Sequence, residues 1–219
     1  MIDLHAHTIF SDGELLPAEL IQLAEAMGHR GIALTDHADM SNLNFVVPRI
    51  RAAVEQFNLH HRVQALAGVE LTHVPPEFIP GLIAQARILG AMIVVVHGQT
   101  IVEPVTEGTN WAGIEGGADL LAHPGLLTVE EARMAAQKGV ALELSARKGH
   151  CLGNGRVARL ALAHGASLVV NTDAHAPGDL IGKAQAQRVA LGAGLEPEQL
   201  PELFAASERL LDRGLAVRA

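Results

Sequence analysis

The sequence predicts an α/β fold in which a mostly parallel sheet with helical crossovers closes into a barrel. Three observations lead there. Short apolar runs alternate with helical patterns about seven times along 219 residues, which is the signature of successive βα units. No glycine-rich dinucleotide fingerprint follows the first run, as a dinucleotide-binding doubly wound sheet would require. Nearly every apolar run ends at a His, Asp or Glu. In a β/α barrel all C-terminal strand ends meet at one rim, where active sites sit, whereas an open sheet spreads them along an edge.

The elements follow in order. A short apolar run at the start of the chain leads straight into His5 and His7, and Asp12 follows in a turn closed by Gly13. Pro17 then precedes a helical face of Leu20, Ile21, Leu23, Ala24 and Met27, stopped by Gly28. Ile32 to Thr35 reads as a buried strand that delivers Asp36-His37. Residues 46–58 read as a helix with Pro48 in its first turn, where a missing N–H is tolerated. Val63 to Val69 is a strand delivering Glu70, and a helix over about 78–89 stops at Gly90. Ala91 to Val96 delivers His97-Gly98, and a polar loop from Glu103 to Asn110 leads to a short helix near Trp111. That loop suits a lid or an ordinary connection equally. Asp119 to Ala122 delivers His123, and Thr128-Val129-Glu130-Glu131 has the Ser/Thr-x-x-Asp/Glu capping pattern of a helix start. Val140 to Leu144 delivers Ser145 to His150; a helix over about 155–164 follows; Ala166 to Val170 delivers Asn171 to His175. The rest is helical in two pieces broken near Gly194 and Pro197. No composition shift or linker divides the chain, so residues 1–219 read as one domain, with the C-terminal helices from about 179 packed on the barrel.

Composition narrows the functional classes. Hydrophobic residues make up 49% of the chain, yet there are five Phe, one Trp and no Tyr, so the core must be aliphatic. A formal net charge of −8 argues against a nucleic-acid footprint. One cysteine, Cys151, allows no internal disulfide, which suits a reducing cytoplasm. No basic and apolar leader is apparent, and no apolar run is long enough to span a bilayer. A cytoplasmic protein is the expectation, and a homo-oligomer stays open because apolar helix faces suit a core or an interface.

The strand-end residues carry the chemistry. They are His5, His7, Asp12, His37, Glu70, His97, His123, Asp173 and His175. On a strand, positions two apart share a face, so His5 and His7 present both imidazoles to one side. Imidazole suits zinc, iron and related ions, and carboxylate suits harder ones. Nine donors exceed what one four-coordinate zinc needs, so they fit two or three ions with one carboxylate shared. Arg147 and Lys148 follow the sixth predicted strand and should face the same rim, Arg as a bidentate phosphate ligand and Lys as a point charge. His150 is a candidate proton donor to a leaving group, and His73 an accessory ligand or substrate contact. Asp36 is a candidate to orient the imidazole of His37, with a turn-forming Asp as the alternative. His29, His60, His61 and His164 should lie on the opposite face of the barrel.

The motifs His5-Ala6-His7-Thr8 with Ser11-Asp12-Gly13, Thr35-Asp36-His37, Gly68-Val69-Glu70, Val96-His97-Gly98, Ala122-His123-Pro124-Gly125 and Asn171-Thr172-Asp173-Ala174-His175 resemble, in order, those of the PHP family of polymerase and histidinol phosphatase domains. The resemblance implies a distorted (β/α)7 barrel with a trinuclear site of zinc, manganese or iron. It implies that His5, His7, Glu70 and Asp173 hold one ion, that Glu70 bridges to a second held by His97 and His123, and that Asp12, His37 and His175 hold a third. It implies a phosphoesterase acting on a small phosphorylated substrate by attack of a metal-bridging hydroxide, with Glu70, Arg147 and His150 in the catalytic set. The alternatives are a nuclease acting on phosphodiesters and a non-catalytic metal-binding scaffold.

Overall fold

The structure is a computed structural model and describes residues 1–217. Strands β1 (Ile2–Ala6), β2 (Gly31–Leu34), β4 (Gln64–Leu71), β5 (Ile93–His97), β6 (Leu120–Ala122), β7 (Ala141–Ser145) and β8 (Leu168–Asn171) lie side by side in that order, every neighbouring pair parallel. The two-residue β3 (His37–Ala38) pairs with β4 further along the edge that β2 occupies, so β2 and β3 share one strand position, interrupted at Thr35-Asp36. Seven strand positions result, nearly closed into the expected distorted barrel. The interruption turns His37 onto the rim directly opposite Glu70, its partner in the ladder.

Helices α1 (Pro17–Ala26), α2 (Leu43–Phe57), α3 (Ile79–Ile88), α4 (Thr109–Glu115), α5 (Val129–Lys138), α6 (Asn154–His164), α7 (Lys183–Gly192) and α8 (Leu200–Leu215) complete the chain. The capping box forms at Thr128 as its spacing requires, with the Glu131 amide donating to the Thr128 side chain. One boundary differs from expectation: α2 starts at Leu43, placing Pro48 inside the helix rather than in its first turn. The burial of Leu43, Val46, Val47 and Ile50 on the same helix outweighs the single backbone hydrogen bond Pro48 cannot make. The largest fully buried side chains are all Leu or Ile, as the scarcity of aromatics demands.

Closure between the first and last strands is mostly a side-chain affair. One parallel bridge joins Ala6 to Ala174, with the His7 amide donating to the Ala174 carbonyl at 2.8 Å. Below it, Asn171 Oδ1 accepts from the Leu4 amide at 2.9 Å, Thr172 Oγ1 donates to Asp3 Oδ2 at 2.5 Å, and the Thr172 amide donates to Asp3 Oδ1 at 3.2 Å. Helix α8 covers the opposite end of the barrel. Its Leu211 sits so close to Gly31 that a Cβ there would be 2.6 Å away, and Arg213 pairs with Asp119 at 2.9 Å, just before β6. The rim where the strands end is therefore the accessible mouth.

Replacing Asp3 with Ala strips acceptors from three buried donors and is expected to lower unfolding stability by about 2–4 kcal/mol. Burial pushes the Asp3 carboxyl above its ordinary pKa, so the neutral isostere in Asp3→Asn should cost less than about 1.5 kcal/mol. Urea denaturation of the two variants checks this; equal losses would rule out closure by Asp3.

Candidate metal centre

All nine strand-end residues arrive at one mouth. The donor atoms of His5, His7 and Glu70 lie within 4.8 Å of one another, as do those of His5, His123 and Asp173, those of Glu70, His97 and His123, and those of His7, Asp12, His37 and His175. These four groups overlap through His5, His7, Glu70 and His123, and Asp173 falls with His5 and His123 rather than in one group with His5, His7 and Glu70. A cavity of about 260 Å³ opens over them, lined by Asp12, His37, His97, His123, Asp173 and His175 together with Thr72, His73, Glu103, Arg147 and His150.

Local backbone explains the motifs. His5 and His7 project to one side from β1 and the residue after it, with ring centroids 5.1 Å apart. Gly13 lets the Asp12 turn fold back on the strand, because a Cβ there would sit 2.5 Å from the His7 carbonyl. Gly98 likewise lets the chain beyond His97 run against β6, where a Cβ would come within 2.2 Å of the Ala122 carbonyl oxygen. Among the described residues, three that are not glycine have positive φ: His73, His123 and Asp173, all on this cavity. Strain of this kind gathers at functional sites.

Electrostatics at the centre is built around Glu70, which has no solvent exposure. Its Oε1 lies 3.3 Å from His5 Nε2 and 3.6 Å from His123 Nε2, and its Oε2 lies 2.7 Å from His37 Nδ1. Burial works against its charge, but His5, His37 and His97 prevail and hold its carboxyl well below the ordinary range. Burial also opposes a charge on His5, and there the carboxylates of Glu143, Glu70 and Asp173 prevail, holding it well above. His37 and His97 are raised in the same way against burial, chiefly by Glu70. His7 and His123 go the other way, held well below by burial and by neighbouring imidazoles. Burial pushes Asp173 up to about 7. Several donor atoms here make no hydrogen bond although fully enclosed: His5 Nε2, His7 Nδ1 and Nε2, Glu70 Oε1, His97 Nδ1 and His123 Nδ1. Buried polar atoms are normally satisfied, and a set of imidazole and carboxylate donors left over together fits divalent ions.

Other expectations are sorted by the structure. Arg147 reaches the mouth, its Nη1 donating to the Asp173 carbonyl at 2.8 Å and to His175 Nδ1 at 2.7 Å. Lys148 does not line this cavity; it is exposed and lines a neighbouring one of about 440 Å³ with Arg147, Thr172 and Asp179, because the chain turns after Arg147. His150 is on the rim, its Nδ1 2.9 Å from Thr100 Oγ1 and its Nε2 3.3 Å from Glu103. His73 stands at the outer edge, 3.6 Å from Glu103. Asp36 does not orient His37. It accepts from the Thr8 amide and hydroxyl, each at 2.8 Å, and from the Ser11 hydroxyl at 2.9 Å, pinning the loop that carries Asp12. The partner of His37 Nδ1 besides Glu70 is Thr72 Oγ1 at 2.7 Å. His29 turns away from the mouth to bond the Ile181 carbonyl, and His61 pairs with Glu25.

Two residues escaped the sequence reading. Glu143, in the middle of β7 and without exposure, lies 2.8 Å from His5 Nδ1 and accepts from Asn171 Nδ2 at 3.0 Å and the His123 amide at 3.3 Å. A carboxylate only accepts, so it keeps a proton on His5 Nδ1 and leaves Nε2 as the donor atom facing the cluster. A charged residue inside an apolar strand was the available signal. Glu103 had none beyond its place in a polar loop; it reaches back to His97 at 3.1 Å, and that bond first of all lowers it to about 2.

An ion in this cluster would have to displace protons from His5, His37, His97 and Asp173, all held more tightly than usual. Zinc affinity is therefore expected to fall as pH drops from about 8 to about 5.5, by about tenfold per unit or more. Competition with a chromophoric chelator across that range measures it; a flat profile would contradict the protonation pattern.

Comparison with known proteins places this geometry in context. The PHP domain description matches residues 3–146. An uncharacterized protein of Methanocaldococcus jannaschii is 46% identical over 200 residues, 90% of this chain and 92% of its own length. Ribonuclease P protein component 3 of Methanosarcina barkeri is 29% identical over 228 residues, covering 96% of this chain and 88% of its own. Among solved structures, the histidinol phosphate phosphatase of Lactococcus lactis, complexed with zinc, L-histidinol and phosphate, superposes with a TM-score of 0.61 at 16% identity, over 89% of this chain and 94% of its own. A chain of the metal-dependent tyrosine phosphatases YwqE from Bacillus subtilis and CpsB from Streptococcus pneumoniae superposes with a TM-score of 0.63 at 19% identity, over 97% of this chain and 95% of its own.

Proposed function

Because this chain belongs to the PHP domain family, we propose that it is a metal-dependent phosphoesterase acting on a small phosphorylated substrate. The observation that carries the reading is the set of four overlapping donor groups sharing Glu70, His5, His7 and His123 beneath an open cavity that Arg147 overhangs. His5, His7, Glu70 and Asp173 would hold one ion, Glu70, His97 and His123 a second, and Asp12, His37 and His175 a third; zinc, manganese and iron all suit this donor set. Bound together, such ions supply a water of lowered pKa and positive charge for the phosphoryl oxygens.

The protein's own residues do the rest. Glu143 fixes the His5 tautomer. Arg147 recognises the phosphoryl group, and His175 controls its release. A guanidinium only donates, so while Arg147 bonds His175 Nδ1, the imidazole proton sits on Nε2, toward Asp12 at 3.2 Å. With Nε2 serving as a ligand, the proton would sit on Nδ1 and donate to the Asp173 carbonyl, 2.9 Å away, leaving the Arg147 guanidinium available to the phosphoryl group. His150, held by Thr100, faces the same space and would protonate a leaving oxygen. The small cavity favours a compact phosphomonoester.

A nucleic-acid substrate is the second reading, favoured by the 29% identity to a ribonuclease P protein component. The net charge of −8 speaks for the first.

Steady-state assay of the zinc- or manganese-loaded protein on a panel of phosphomonoesters, phosphodiesters and labelled RNA and single-stranded DNA separates the readings. Glu70→Gln should lower kcat on the preferred monoester by at least about 10³-fold. Arg147→Ala should lower kcat/KM by about 10–100-fold. Absence of turnover across the monoesters would sink the first reading, and cleavage confined to RNA or DNA would establish the second.

A further inference from the structure

His97 belongs to two triads. Inward it groups with Glu70 and His123, and outward with His73 and Glu103. A neutral imidazole offers one lone pair while its other nitrogen carries the proton, so His97 serves one ion at a time. The two triads are therefore alternative positions for a single ion, one buried and one at the surface.

We propose that His73, His97 and Glu103 form an outer cation position, a staging site through which a divalent ion reaches the buried Glu70–His97–His123 position. The proposal rests on the metal-centre reading above. Two imidazoles and one carboxylate are a donor set for first-row divalent ions. Glu103 Oε2 stands 3.1 Å from His97 Nε2 and 3.6 Å from His73 Nε2, close to the ~3–3.5 Å separation of two ligand atoms each about 2.0–2.1 Å from one ion. Accessibility is graded along the path. The side chains of His73 and Glu103 are 47% and 37% exposed, that of His97 4%, and those of His123 and Glu70 1% and 0%. His73 shares with His123 and Asp173 the positive φ that no other non-glycine residue among those described adopts, so its placement is imposed at a backbone cost. An ion arriving from solvent meets Glu103 and His73 first. It moves inward with His97 as the retained ligand, exchanging the outer pair for Glu70 and His123, while His73 and His97 give any protons to solvent.

A site on the path and a resident ligand leave different kinetic marks. Removing a staging site slows loading and release by the same factor and leaves the equilibrium affinity untouched. Removing a resident ligand weakens the affinity and speeds release. The experiment uses the full-length chain freed of metal, and its Glu103→Gln and His73→Ala variants. Stopped-flow mixing with zinc follows loading, a chelator chase follows release, and competition titration gives the affinities. Both substituted side chains are partly exposed, and matching thermal unfolding of the metal-free proteins controls for the fold. Each variant is expected to load and release the buried zinc on the order of tenfold more slowly, with zinc affinity within about threefold of the parent. Unchanged rates would reduce Glu103 to an ion-pair partner of His97 and overturn the proposal. Weakened affinity with faster release would overturn it in favour of a resident ligand. A parent chain that binds no zinc would instead overturn the metal-centre reading itself, a failure visible before any variant is compared.

Discussion

The structure depends on keeping Glu70 ionised where no water reaches it. An isolated carboxylate in that position would cost several kcal/mol, and the chain meets that cost by surrounding it with imidazoles from separate segments. His5 and His7 come from the first strand and its end, His37 from β3, His97 from the end of β5 and His123 from beyond β6. A second buried carboxylate, Glu143, stands behind His5 and bonds Asn171 and the His123 backbone. Asn171 in turn holds Leu4 of β1. The same bonds thus position the ligands and join the last strand to the first. Barrel closure and the imidazole–carboxylate cluster are one network, and removing members of the cluster is bound to be felt in the fold.

That coupling goes with a gradient of burial around the mouth. The inner donors are buried, strained or orphaned, and their protonation is set by neighbours rather than by solvent. The outer ones, Asp12, His73 and Glu103, sit on loops and are at least partly exposed. Arg147 straddles the two regions, tied to Asp173 and His175 on one side and open to the cavity on the other. The same fold carries phosphatases of different substrates among its structural neighbours, so what a given chain does is set by its site rather than by its barrel.

Much of this was legible in the sequence because barrels make strand ends meaningful. Apolar runs mark the strands, glycine stops and a capping box mark the helices, and residues shortly past several of the runs, among them Glu70, His97 and His123, reach the mouth. Where the reading failed, the cause was local chemistry invisible to spacing. A first-turn position for Pro48 avoids the cost of its missing N–H, yet the packing of α2 overrides that preference. Asp36 neighbours His37 in sequence, but the interrupted strand turns it toward Thr8 and Ser11. Lys148 follows Arg147 yet lines only the neighbouring cavity, because adjacent residues of a turn need not share a face.

The sequence by itself determined the order of βα units, the aliphatic core and the identity of the donors that strand ends deliver, since these follow from periodicity and from the fixed direction of strands in a parallel barrel. Tertiary structure alone decided which donors stand together, that Glu143 fixes the tautomer of His5, that Glu103 reaches His97 from a loop, and that Arg147 rests against His175. Those are distances between residues far apart in the chain, and a distance of 3 Å rather than 8 Å depends on how the strands twist and the loops return, which no local pattern encodes.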